Sequence, residues 1–245
     1  MRVAVIIPTA NEESALARSL TRLTRMTPAP DELIVVDGAA RSSCARTCRA
    51  AGAHWIAARA ARGGQLALGA AHARAEVLWF LPTDCEPAPQ ALGAIHDCVA
   101  AGAVGGYFRL RFAGARRPTE RLLERCIAWR SRYGTVYGEH ALFVTRAAYA
   151  ETPGFSLQPL FEQVALVRAL KHTHRFVALS LPITVAAASR AGCWRHALLN
   201  RLLALGFACG VEPARLARWP GTRARHVPGH GGRQSRSGDP RAHKG

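Results

Sequence analysis

Residues 77–87 read Val77-Leu78-Trp79-Phe80-Leu81-Pro82-Thr83-Asp84-Cys85-Glu86-Pro87, and the fold turns on this stretch. An unbroken apolar run that stops at a proline suits a strand buried on both faces, as in a parallel sheet. In open parallel sheets ligands bind beyond the carboxyl ends of the strands. Asp84 stands at such an end, with Glu86 two residues further on. Oxygen ligands at that spacing suit a hard divalent cation, which can in turn hold a diphosphate. An aspartate ahead of a proline-containing loop also simply starts turns. Both readings of Asp84 are open from this stretch alone.

The chain on the N-terminal side repeats the pattern. Arg2 to Thr9 is an apolar strand, and Ala10-Asn11-Glu12-Glu13 follows it. Apolar residues at Ala15, Leu16, Leu20 and Leu23 then make a helical stripe, for which Asn11 is a candidate N-cap. A second strand, Asp31 to Val36, ends in Asp37-Gly38; a helix over 39–51 and a short strand, His54 to Ala57, come next. Arg62-Gly63-Gly64-Gln65 opens a helix that runs to about Arg74 and leads into the strand at Val77. Strand and helix alternate with about 20 to 25 residues per unit, which implies right-handed crossovers in an α/β fold. The expected architecture is a mostly parallel central sheet with helices on both faces.

Downstream, the pattern predicts a helix over 89–101, a half-exposed strand over 105–112 and a basic amphipathic helix over 118–133. A strand at Ala141-Leu142-Phe143-Val144, a helix opening at Phe161 and ending near Lys171, and a strand over 176–182 follow. A mainly apolar helix, 194–210, closes the ordered part. Residues 1–219 thus read as one domain and 220–245 as a disordered basic tail, rich in Gly, Arg, His, Ser and Pro.

At 245 residues, 49% hydrophobic and 20% charged, the chain can bury a sizeable core. No run approaches the roughly 18 to 20 apolar residues of a membrane span. Met1-Arg2 passes directly into the first strand pattern instead of a secretory leader, so a cytoplasmic location is expected. The seven cysteines are scattered and form no CxxC pair, which favours free thiols over a zinc cluster. The net charge of +17 is almost all arginine, spread along the chain, so no specific nucleic-acid partner is expected.

Three strand ends therefore carry polar clusters: Pro8-Thr9-Ala10-Asn11-Glu12-Glu13, Val36-Asp37-Gly38 and Thr83-Asp84. In this order and spacing they resemble the family 2 glycosyltransferases of the GT-A fold, over residues 3 to about 219. More narrowly the chain is similar to a bacterial subgroup of arsenosugar-biosynthesis and radical-SAM/selenodomain-associated transferases. The stretches VIIPTANEE, ELIVVDGAARS, ARGGQLALGAA, VLWFLPTDCEP, GAVGGYFRLRF, YGEHALFV and PLFEQVALVRAL carry that likeness. The resemblance implies inverting, metal-assisted transfer of a sugar from a UDP- or GDP-sugar donor to a small-molecule or lipid acceptor. A peripheral contact with a membrane is left open. It also implies that Pro8, Thr9, Asn11, Glu12, Asp37 and Gly38 hold the base and ribose, with Arg62 and Gln65 facing the donor. Asp84 is then the ligand of a divalent metal, Mg²⁺ or Mn²⁺.

The departures fall at the catalytic edge. Ala39-Ala40-Arg41-Ser42 stands where the subgroup has glycine, serine, threonine and aspartate, and Pro82 where it has histidine. Gly138-Glu139-His140 replaces a glycine-aspartate-glutamine segment, and the arginine-tryptophan pair is missing around 186–188. Glu162-Gln163 replaces an acidic pair whose second member is the usual general base. Glutamine accepts no proton at a useful pH, so Glu162 and Glu139 become the candidate catalytic carboxylates. The alternative is a catalytically impaired protein that still binds a nucleotide-sugar.

Overall fold

The computed structural model describes residues 1–58, 61–114, 118–133, 136, 140–173, 175–185, 202–203, 206–207 and 210–219. In chain order the elements are β1 (Val3–Thr9), α1 (Glu13–Thr24), β2 (Glu32–Asp37), α2 (Ser42–Ala50), β3 (His54–Ala57), α3 (Arg62–His72) and β4 (Val77–Phe80). They continue with β5 (Cys85–Pro87), α4 (Ala91–Ala100), β6 (Gly105–Phe112), α5 (Pro118–Tyr133), β7 (Phe143–Thr145), α6 (Arg146–Ala150), α7 (Val164–Thr173), β8 (Phe176–Val185) and α8 (Pro213–Leu216). The strands form one eight-stranded sheet in the order β3-β2-β1-β4-β7-β6-β8-β5.

The half built from β3, β2, β1 and β4 is parallel throughout, as the alternating pattern requires. The other half is mixed, because β7 runs antiparallel to both β4 and β6, and β5 antiparallel to β8. Only β6 and β8 are parallel there. Continuous apolar strands feed two cores, one on each face. Val3, Val5 and Ile7 of β1 and Val77 and Trp79 of β4 pack with Leu16, Leu20, Cys44 and Leu92 of α1, α2 and α4. Ala4, Ile6, Leu78 and Phe80 turn the other way, towards Leu66, Ala148, Leu166 and Leu170 of α3, α6 and α7. This is the period-two alternation of a strand covered on both sides, and it puts helices on both faces.

Close approach of α3 explains one glycine. A Cβ on Gly69 would stand 2.4 Å from Cγ2 of Ile6, so only glycine lets the helix sit down on β1.

Three expectations are corrected locally. Asn11 does not cap α1: its φ is +59°, Glu12 occupies the cap position, and no side chain bonds the exposed amides there. Asparagine is among the few residues that enter the left-handed region readily, so the same residue type serves a different local conformation. The helix expected from Phe161 starts at Val164, because Phe161 has φ +62° and Glu162 and Gln163 form a turn ahead of it. The strand expected at 141–144 begins at Phe143, since Ala141 has φ +47°. Strand β5 had no apolar run to announce it. The tail 220–245, residues 186–188 and Glu139 lie outside the described residues.

Candidate active site

The carboxyl ends of β1, β2 and β4 meet the first turn of α3 and the turn before α7. Pro8, Arg62, Phe80, Pro82 and Gln163 line a small, mainly apolar recess there.

The ends of β1 and β2 are tied to one another. Thr9 is in register with Asp37, and the carbonyl of Thr9 accepts from the amide of Gly38 at 2.8 Å and from Nε2 of Gln65 at 3.4 Å. Gln65 is buried, so its amide braces the strand end from α3. Asp37 is 1% exposed. One carboxylate oxygen accepts from the amide of Ala39 at 2.9 Å. The other accepts from the amide of Arg41 at 2.8 Å and from Nε1 of Trp55 at 3.4 Å. Asp37 thus closes the turn into α2, a structural duty that uses both oxygens. The sequence pattern reveals the carboxylate at the strand end but not these donors, which come from its own turn and from a neighbouring strand.

Glu12 is linked across to the end of β4, where the hydroxyl of Thr83 donates to its carboxylate. Thr83 is buried and Asp84, next to it, is half-buried, in the turn closed by the amide of Cys85 on the carbonyl of Pro82. Asn11 is exposed on the rim. Among the described residues, no group of three or more His, Cys, Asp or Glu gathers to hold a metal. A lone half-buried carboxylate at a strand end does suit Mg²⁺ or Mn²⁺ carried in by phosphates, since such ions are commonly held by one or two carboxylates plus substrate oxygens.

The acidic turn is clamped more firmly than its loop position suggests. Arg62 Nε lies 3.2 Å from Oε1 of Glu162, a charge contact whose angle is not that of a hydrogen bond, and the Glu162 side chain is only 9% exposed. The amide of Ser156 donates to the carbonyl of Glu162 at 2.9 Å. The backbone of Ser156 lies against Gly63 so closely that a Cβ there would meet its carbonyl oxygen at 1.9 Å. Gln163 is buried, and its amide donates to the carbonyl of Val136 at 3.3 Å. The substitution that removes the expected base therefore has a structural use. Of the predicted residues, Pro8 and Arg62 share the recess with Gln163, Glu162 joins through Arg62, and Thr9, Gly38 and Gln65 are tied together at the end of β1.

Between α5, β6 and α7 lies a polar group the sequence did not single out. His140 is 1% exposed; its Nδ1 donates to the carbonyl of Phe108 at 3.0 Å and its Nε2 accepts from the hydroxyl of Ser131 at 3.1 Å. Burial pushes the imidazole down to about 4, with Arg130 and Lys171 acting in the same direction. Lys171 Nζ donates to the carbonyl of Ser131 at 2.7 Å, so α5, α7 and β6 are joined through this one cluster. A lone histidine after a glycine-glutamate pair carries no signal of such burial.

Comparison with solved structures places the fold. A mannosyltransferase from Pyrobaculum calidifontis, in complex with GDP-Man and Mn²⁺, superposes with a TM-score of 0.64 at 18% identity, covering 86% of this chain and 64% of that one. Glucosyl-3-phosphoglycerate synthase from Mycobacterium tuberculosis, in complex with Mn²⁺ and UDP-glucose, gives 0.59 at 16% identity, covering 86% and 79%. S. aureus TarS 1–349 in complex with UDP-GlcNAc also gives 0.59 at 16%, covering 77% and 59%. The chain thus spans under two thirds of the mannosyltransferase and of TarS. No curated protein matches the sequence. The protein-family model for glycosyl transferase family 2 matches residues 4–150, from β1 through α6, which is more than half of the chain and includes every strand end described above. On that match, the chain belongs to glycosyl transferase family 2.

Proposed function

We propose that this protein moves a sugar from a nucleoside-diphosphate donor to a small-molecule or lipid acceptor with inversion. The observation that carries the reading is the recess at the ends of β1 and β4, where Arg62 faces in beside Pro8 and Gln163 and holds Glu162 at 3.2 Å. Pro8, Thr9, Asn11, Glu12, Asp37 and Gly38 line the strand ends on which base and ribose would lie. Arg62, braced on α3 near Gln65, is the cation available to the diphosphate. Asp84 would hold Mg²⁺ or Mn²⁺; the ion, when bound, neutralises charge on the departing diphosphate. The similar structures named above include complexes with GDP-Man, UDP-glucose and UDP-GlcNAc, which supports a nucleotide-sugar as the donor. The likeness to arsenosugar and radical-SAM-associated transferases remains the narrower form of the proposal.

Glu162 is the candidate base, to take the proton from the attacking acceptor hydroxyl. Its pairing with Arg62 has a mechanistic use. A diphosphate competing for the guanidinium would loosen the ion pair and leave the carboxylate available after the donor has arrived. A protein that binds nucleotide-sugar without turning it over is the second reading. Two facts favour it: Glu162 lies 3.2 Å from the Arg62 guanidinium, and Gln163 is an amide engaged with Val136.

Release of nucleoside diphosphate from a panel of UDP- and GDP-sugars, with and without Mn²⁺, separates the two readings. Turnover supports the first; donor binding with no release in any combination supports the second. Asp84→Asn is expected to abolish the metal dependence of nucleoside-diphosphate affinity while leaving the melting temperature nearly unchanged. Unaltered metal-dependent affinity in that variant removes Asp84 from the site.

A further inference from the structure

Helix α5 divides its charges between two faces. Glu120 is 9% exposed, and Glu124 accepts the amide of Phe112 at 2.8 Å, so both acids point into the protein alongside the buried Leu123 and Ser131. Among the described residues of α5, no carboxylate is exposed, and the outer face carries cations and large apolar groups. Arg121, Arg125 and Arg132 are exposed, and so are Leu122 and Trp129, at 56% and 69%. Leu122 and Trp129 are seven residues apart, within about 20° of one another around the helix. Arg125 and Arg132 each follow one of them by three residues, which places a cationic stripe about 60° to the side of the apolar one.

Two large apolar side chains on one helix face, rimmed by cations, make the kind of patch that marks an interaction surface. The two stripes have different requirements, and one surface meets both. A nucleic-acid backbone would satisfy the arginines but leave Leu122 and Trp129 in water. An apolar protein groove would cover those two but leave three cations beside it. An anionic bilayer offers headgroup charge to the arginines and an acyl boundary to the apolar side chains, and the indole favours that boundary. Among the described residues no helix is long and apolar enough to cross a membrane, so the contact is one of lying on the surface. We infer that the outer face of α5 docks the protein on an anionic lipid surface, with Leu122 and Trp129 entering the interface and Arg121, Arg125 and Arg132 on the headgroups.

The test is co-sedimentation of the full-length protein with vesicles of phosphatidylcholine alone and of phosphatidylcholine with 30% phosphatidylglycerol (roughly physiological anionic content). Binding to the anionic vesicles only is expected, weakening as salt is raised. R121Q/R125Q/R132Q should lower the partition constant about 100-fold, from the loss of three headgroup contacts. L122S/W129S should lower it about tenfold, and both variants should melt as the parent does, since the sites are exposed. The basic tail is intact in both variants, so undiminished binding would assign any lipid contact to the tail and overturn the proposal. Equal binding to neutral vesicles would also overturn it. So would a dimer in solution that L122S/W129S dissociates, or duplex DNA binding that the arginine variant abolishes while lipid binding is absent.

Discussion

Replacing Gly63 by alanine should test whether the clamp on the acidic turn matters. Gly63 is in the first turn of α3, and by helix propensity alone alanine there would stabilise by up to about 1 kcal/mol. The packing argues the opposite. The new Cβ would stand 1.9 Å from the carbonyl oxygen of Ser156 and 3.0 Å from Cβ of Glu162. An ordinary carbon–oxygen contact is about 3.3 Å, so the two backbones must part by about 1.4 Å. Neither is a flexible side-chain end that could swing away, and overpacking of this kind costs about 1–3 kcal/mol. After the propensity gain, a net loss of about 0–2 kcal/mol remains, and about 2–4 °C in melting temperature per kcal/mol for a chain of this size. The larger effect falls on function. The amide of Ser156 is bonded to the carbonyl of Glu162, so the turn moves as a piece and the 3.2 Å contact with Arg62 opens. Misplacement of a reacting group by about 1 Å costs on the order of 100-fold in rate. Gly93→Ala is the control: Gly93 is in α4 with nothing within 4 Å of its added Cβ, so it should only gain the propensity term. Melting curves and nucleoside-diphosphate release on the three proteins decide the matter. If Gly63→Ala raises the melting temperature as Gly93→Ala does and leaves turnover unchanged, the turn is not clamped by α3.

Three further outcomes follow from the site's surroundings. His140 titrates at about 4 in the folded chain, against an ordinary value near 6.5, so the unfolded chain binds the extra proton between those limits. Its stabilising contribution is complete above about pH 6.5 and is lost as pH falls towards 4, up to about 3 kcal/mol. Urea midpoints at pH 7 and pH 4.5 should differ more in the parent than in His140→Gln, and equal slopes would show that the ring is not held neutral. Glu162→Gln keeps the shape of the turn but removes its charge; turnover should fall about 100-fold while nucleotide affinity holds or rises, since Arg62 is no longer shared with a carboxylate. Turnover unaffected by that change would move the base elsewhere, with Glu139 next to be tested. Asp37→Ala leaves the amides of Ala39 and Arg41 without their acceptor, and a loss of about 1–3 kcal/mol in unfolding free energy is expected. A variant as stable as the parent would mean that water replaces the carboxylate freely.

What the sequence disclosed depended on whether the signal was local. The strands β1, β2 and β4 were legible because each is a continuous apolar run closed by a turn residue, and such runs have few other uses. The two-faced burial of Ile6 and Ile7, or of Leu78 and Trp79, is the same information seen in the core. Strand β5 was not legible: three residues ending in Pro87 carry no periodicity, and their partner is Ile183–Val185, about a hundred positions away. The start of α7 was placed three residues early because Phe161 looks like a helix residue by composition, whereas its left-handed φ can be known only from the fold. The polar strand ends were visible as candidate ligand sites, but their partners were not. That Asp37 spends its oxygens on Ala39, Arg41 and Trp55, or that Arg62 meets Glu162 a hundred residues later, depends on topology and not on any pattern near those residues.

The order of strands carries a geometric demand on Asp84. Strands β4 and β5 are adjacent in the chain, with four residues between them, yet β7, β6 and β8 lie between them in the sheet. Four strand spacings laid out flat would separate β4 from β5 by about 19 Å. Phe80 to Cys85 reaches at most about 17 Å when fully stretched, and the bond from Cys85 to Pro82 folds that link into a turn. The sheet must therefore roll up until its two distant strands nearly face one another, with residues 81–84 bridging the opening as a hydrogen-bonded turn. A carboxylate on a turn anchored at both ends in one sheet has little freedom to wander, even though it sits in a connection and not in a strand or helix. Lengthening the connection by a few glycines would let the roll relax and would loosen the turn that the Thr83 hydroxyl ties to Glu12. The aspartate's fixed position is thus a property of the whole eight-stranded order, enforced from the far edge of the sheet.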